Sequence, residues 1–88
     1  MSSETVRVWL VERGYNNRDL VILKYATLEG DRVYRRELAP QALDMSSVTA
    51  AEEVSTDDLE AVEETATRER YANEATRMAE NHDPEDTV

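Results

Sequence analysis

Between residues 5 and 13 apolar and polar positions alternate, with Val6, Val8 and Leu10 on one side and Arg7, Trp9, Val11 and Arg13 on the other. A period of two marks a strand. Residues 20–27 repeat it, setting Leu20, Ile22 and Ala26 against Val21, Leu23 and Tyr25. Apolar side chains on both sides place this strand in the middle of a sheet. Residues 32–38 form a third, more charged segment, with Val33, Arg35 and Glu37 alternating against Arg32, Tyr34, Arg36 and Leu38. Its charge suits an edge, where it discourages further pairing. Leu28-Glu29-Gly30-Asp31 is short enough for a hairpin in which Gly30 takes a positive φ. Residues 14–19 make a longer polar loop. Together these segments predict an antiparallel three-stranded meander with 20–27 at its centre.

After Pro40 the pattern changes. Pro40 can open a short helical turn over 40–45. Residues 46–54 fit two readings: Thr49-Ala50-Ala51-Glu52 has the form of a capping box, whereas Val48 and Val54 bracket a segment that can lie extended along the sheet as a fourth strand. The bracketing valines favour the extended form. From residue 56 to residue 81 the composition predicts a helical region packed on the sheet. Ser55 or Thr56 serves as N-cap, Asp57 and Asp58 sit in the first turn, and no glycine or proline intervenes before Pro84. On that helix Leu59, Val62 and Ala66 gather on one side while Tyr71, Ala75 and Met78 gather on nearly the opposite one. The helix therefore breaks near 63–67, or its two halves pack on different partners. Glu64 with Arg68 and Arg70 with Glu74 are spaced as i,i+4 ion pairs. Residues 82–88 are expected to form a flexible tail. The chain thus reads as one α+β domain over residues 1–88, with a sheet in 5–38, a mixed connection in 40–55 and helix in 56–81.

Charge sharpens this picture. Twenty Asp and Glu face ten Lys and Arg, a formal charge of −10, and Lys24 is the only lysine. Residues 1–40 carry seven cations and six acids, residues 41–88 three cations and fourteen acids. Such a surface repels itself in dilute buffer, but at molar salt the screening length falls to about 3 Å and the carboxylates keep the chain hydrated. Scarce lysine, no phenylalanine and a single isoleucine accompany this imbalance. There is no cysteine, so disulfides, thiolate metal sites and a cysteine nucleophile are excluded. The first residues lack the basic and apolar regions of an export signal, and the longest aliphatic run covers only 20–23. A cytoplasmic protein without a membrane span is expected.

Candidate chemistry is sparse. His82, the only histidine, lies near the predicted helix end beside Glu80 and Asp83, with no nucleophile at a spacing that would make it a general base. The adjacent pairs Glu52-Glu53, Asp57-Asp58 and Glu63-Glu64 lack the spacing of a divalent-cation loop. Gly14 and Gly30 fall in different turns and cannot cradle a phosphate. No catalytic residue, metal site or cofactor is expected, and the chain reads as a non-enzyme. One sheet face holds more promise: with a simple register Arg7, Trp9, Val11 and Arg13 join Tyr25, Tyr34 and Arg36. Interleaved arginines and aromatics of this kind stack on single-stranded nucleic acid. The competing reading makes them core or interface residues whose arginines pair with the acidic helix. The net charge of −10 favours the second. Because the first two strands are apolar on both sides, one helical region leaves one sheet face bare, and a homodimer is the expected remedy, with Tyr71, Ala75 and Met78 as a helix interface. The leading expectation is a homo-oligomeric or accessory protein; the alternative is nucleic-acid binding.

Residues 20–38, together with Arg68-Glu69-Arg70-Tyr71, resemble stretches of small uncharacterised acidic proteins of halophilic archaea. That resemblance implies a salt-rich cytoplasm and no particular activity, and it carries over no functional residue.

Overall fold

Val21–Ala26 (β2) is the strand on which the rest is built. It pairs antiparallel with Thr5–Tyr15 (β1) on one side and with Arg32–Leu38 (β3) on the other. The predicted meander is therefore present in a computed structural model that describes residues 4–15, 20–38 and 48–88. Ala51–Ser55 (β4) adds to the free side of β1, Glu60–Ala61 (β5) adds to the start of β3, and the order is β4-β1-β2-β3-β5, antiparallel throughout. Residues 48–54 thus take the extended form favoured over the capping box. The turn expected at 40–45 lies outside the described residues, as do positions 16–19 of the polar loop. Gly14 and Tyr15 of that loop instead prolong β1, opposite Ile22 and Val21.

The sheet is not flat. Two strands separate β3 from β4, about 14 Å in a flat sheet, yet Arg36 Nη1 of β3 lies 2.7 Å from Glu52 Oε1 of β4. Residues 56–59 alone carry the chain from one border to the other, about 19 Å if flat, although part of them is a 3-10 turn that advances about 2 Å per residue. Both facts require the sheet to curl into a trough. Its concave side holds the larger core, with Val8, Leu10, Val21, Leu23 and Tyr25 buried and Val6, Val54 and Leu59 packed against them. The convex side carries the helix, Thr65–Asn81 (α1). Tyr71 packs with Ala26 and Val62, and Ala75 with Trp9, Ala50 and Ala51. Each face consequently carries a buried core within one chain, although Ile22 on the convex side is only half-buried. The premise that a second copy must roof one of them loses its ground, because curling closes the concave face largely on itself, with Met78 of α1 and Val88 packed at its border.

Residues 56–64 depart from the predicted helix. Thr56–Asp58 form a single 3-10 turn capped by Ser55 Oγ, which accepts from the Asp57 amide at 3.3 Å, and the chain is extended at Leu59. Leu59 packs in the concave core and Val62 in the convex one. Two residues three apart lie on the same side of a helix but on opposite sides of an extended segment, so serving both cores requires the extended form. A helix here would also stack Asp57, Glu60, Glu63 and Glu64 at i,i+3 and i,i+4, a repulsive arrangement. The two stripes seen in the sequence are thus two elements. The expected ion pairs change accordingly: Arg68 Nε donates to the Val62 carbonyl, Arg70 reaches Glu12 at 3.1 Å, and Glu74 pairs with Arg77 at 3.2 Å.

The helix ends where the His82 amide bonds to the Met78 carbonyl at 2.9 Å, two residues before Pro84, which cannot continue it. The residues beyond, expected to fray, run back beside β4 instead. Ala50 N donates to Asp86 O at 2.8 Å, Ala51 N to Pro84 O at 3.2 Å and Val88 N to Val48 O at 3.1 Å. Val88 packs against both cores. Deleting residues 84–88 is expected to speed hydrogen exchange at the Ala50 and Ala51 amides by about tenfold or more; unchanged exchange at both would refute this seating.

Candidate functional site

The concave face brings a set of polar side chains together at the centre of the sheet. Pairing sets Leu10 opposite Tyr25 and Tyr25 opposite Tyr34, while Arg13, Leu23 and Arg36 form the next row. The Tyr25 and Tyr34 rings lie 6.1 Å apart at 45°, within the range of favourable tilted contacts. Curling then swings Glu52 over from β4, and its carboxylate accepts from Arg36 Nη1 at 2.7 Å. Both partners are about one quarter exposed, at 29 % and 24 %. Tyr25 is fully buried beneath them. No donor or acceptor sits in hydrogen-bond geometry with its Oη. Burial pushes the phenol pKa above its ordinary 10.0 and the Glu52 carboxylate pushes the same way, while the Arg36 guanidinium, by its charge and as a nearby donor off ideal geometry, and then the Arg13 cation oppose them in part.

The face predicted from simple alternation is divided by a β-bulge between Leu10 and Glu12 of β1. Before the bulge odd-numbered residues face the helix; after it they face the trough. Arg7, Trp9 and Val11 accordingly lie on the convex side, and Arg13 joins Tyr25, Tyr34 and Arg36 on the concave one. Trp9 is buried against Ala50, Ala51 and Ala75. Arg7 stays exposed and pairs with Glu53 at 3.3 Å. Neither Trp9 nor Tyr25 offers a ring face to a base. Tyr71, Ala75 and Met78 meet their own sheet, where the first two are buried, so they form an internal contact. Glu52 escaped the sequence reading because only curling brings β4 over β3.

A second feature lies outside the trough. Residues 52–64 contain seven acids and no cation. Glu52 and Glu53 are paired with arginines, but Asp57, Asp58, Glu60, Glu63 and Glu64 are exposed and none makes an ion pair with a described residue. Their backbone is pinned by Thr56 N to Glu4 O at 3.0 Å and Val62 N to Asp31 O at 2.9 Å. They form an acidic rim around one end of the trough. His82 stands elsewhere, its Nδ1 3.8 Å from Asp86 Oδ2, beside an open cleft of about 300 Å3 floored by Leu10 and Met78. Among the described residues no three His, Asp or Glu side chains converge to hold a metal ion, and no helix is long and apolar enough to cross a membrane.

A family model described as a family of unknown function, DUF7967, matches residues 2–88. The chain belongs to the DUF7967 family. Among curated proteins and solved structures there is no match. For this member of DUF7967 the reading of function therefore rests on the trough and the rim. The trough encloses its own polar groups: Arg36 and Glu52 satisfy each other, and Tyr25 Oη is sealed below them. The rim is the opposite case, charge that the fold holds in place and leaves unmatched.

Proposed function

We propose that this chain is a non-enzymatic accessory protein of a salt-rich cytoplasm that acts by binding another protein, with the acidic rim at residues 57–64 as its contact surface. The observation behind this reading is the contrast in pairing. Glu12, Glu53 and Glu74 have arginine or lysine partners. Glu69, Glu80, Asp83 and Glu85 stand unpaired among the described residues, on the helix and beyond it, but only residues 57–64 gather five unpaired acids, with no cation among them, on a pinned backbone. Fixed carboxylates match the planar donors of arginine without the ordering cost of a mobile tail. A cationic segment of a partner protein is the complementary surface. Nucleic acid fits less well, since the rim repels phosphate and two of the three stacking rings, Trp9 and Tyr25, are enclosed while Tyr34 is half-buried.

An arginine-rich synthetic peptide tests this. Titrated into the labelled protein at molar potassium chloride, it is expected to shift the amides of 57–64 and to leave those of 80–86 in place. Long-range attraction is screened at that salt, so only contact pairs on a preformed surface survive. The double variant Asp58→Asn, Glu60→Gln is expected to abolish the shifts. Shifts that vanish in molar salt, or that spread evenly over all acidic segments, refute the proposal.

A further inference from the structure

The outer border of β3 has a property that neither the rim nor the trough accounts for. In an antiparallel ladder alternate residues of a strand turn their N–H and C=O groups to opposite neighbours. Thr27 N bonds to Arg32 O, so even-numbered residues of β3 face β2; Val62 N bonds to Asp31 O, so odd-numbered ones face outward. β5 uses this outward side only as far as Val33. The outward groups of Arg35 and Glu37 have no strand beside them among the described residues. The open stretch runs from Tyr34 to Leu38, five residues with the sequence Tyr-Arg-Arg-Glu-Leu.

That stretch is complementary to itself when reversed. We infer that β3 is a self-recognition edge, pairing antiparallel with β3 of a second copy of this chain about a two-fold axis at Arg36. Arg35 and Glu37 pair with each other at 3.0 Å within one chain; in this register Arg35 also stands opposite Glu37 of the other copy and Glu37 opposite its Arg35, joining the two pairs into a four-charge cluster on the convex side. Tyr34 meets Leu38 on the concave side, twice. The backbone groups brought face to face are the outward-turned ones of Arg35 and Glu37, so the ladder gains four hydrogen bonds without disturbing β2. Arg36 meets its own counterpart, but each guanidinium is already held by Glu52 at 2.7 Å. The partner strand ends at Leu38 opposite Tyr34, and Leu59, extended just before β5, marks the limit of the free edge there. Charge on an edge strand discourages pairing with arbitrary strands, and here its order admits one partner. This interface is independent of the acidic rim, shares no residue with it, and does not rest on the need to roof a bare sheet face.

Sedimentation equilibrium of the full chain in molar potassium chloride is expected to show a concentration-dependent dimer. Glu37→Arg, which sets like charges opposite each other, is expected to weaken it about tenfold or more. The charge swap Arg35→Glu, Glu37→Arg restores complementarity and is expected to return the dissociation constant to within about threefold of the original. Hydrogen exchange gives a readout on the unaltered protein: Arg35 and Glu37 amides gain protection as concentration rises, while those of Tyr34, Arg36 and Leu38 are protected throughout. A monomer at every concentration, a dimer indifferent to Glu37→Arg, or a swap that fails to rescue overturns the inference.

Discussion

Replacing Gly30 with alanine is expected to cost about 3 kcal/mol or more, lowering the melting temperature by more than about 10 °C. Two independent terms combine. Gly30 has φ 72°, a conformation that a side chain disfavours, and it closes the β2–β3 hairpin with its amide on the Thr27 carbonyl at 2.9 Å. A Cβ placed there would stand 2.1 Å from the Arg68 carbonyl oxygen and 2.6 Å from the Ala72 nitrogen. Both atoms are helix backbone and cannot rotate away, so either α1 lifts from the sheet or the hairpin moves. Lifting α1 uncovers Tyr71, Ala26 and Val62, the convex cluster beside the hairpin. Gly14→Ala is the control: no atom lies within 4 Å of its Cβ position, and its melting temperature is expected to stay within about 3 °C of the parent, as for a substitution without strain. Equal melting of the two variants would refute the close seating of the hairpin on the helix.

Gly30 also shows how far the sequence can be read. Its positive φ was legible, because a four-residue link between alternating segments leaves few other solutions; its contact with α1 was not, since nothing local encodes which hairpin the helix crosses. The meander, its central strand and the placing of Val21, Leu23 and Tyr25 together on one face follow from period-two alternation alone; which face is the more enclosed does not. What alternation cannot register is a bulge. One extra residue near Val11 reverses the phase of β1, which is why Trp9 and Arg13, two turns of the pleat apart, end on opposite faces. The false helix over 56–64 had a different origin. Propensity outweighed the repulsion among Asp57, Glu60, Glu63 and Glu64, although that repulsion was visible in the sequence. Curling was the deepest omission. A doubly apolar sheet can be covered by a second layer on each side, or it can bend until one side covers itself, and composition does not choose between them. The first implies a partner over the bare face; with the second, self-association rests on the Tyr34 to Leu38 edge alone.

Curling also makes Tyr25 the residue on which the concave core depends, and two substitutions there should part widely. Tyr25→Ala removes a fully enclosed ring from contact with Leu23, Val8 and Tyr34 and is expected to cost about 3–5 kcal/mol. Tyr25→Phe removes only an oxygen that lies near the Arg36 guanidinium without a hydrogen bond of good geometry, so its stability is expected to stay within about 1 kcal/mol of the parent. The two differ again at alkaline pH. Burial, and then the Glu52 carboxylate, raise the folded-state phenol pKa above 10.0. Below that value the tyrosine is protonated in folded and unfolded chains alike, and its contribution to stability is whole. As pH climbs beyond it, the unfolded chain releases the proton while the folded one retains it, so stability falls until the folded pKa is reached. Phenylalanine has no proton to lose. Urea midpoints of the parent are therefore expected to drop relative to those of Tyr25→Phe above pH 10.0, and parallel curves through that range would show that the phenol is not sealed beneath Arg36 and Glu52.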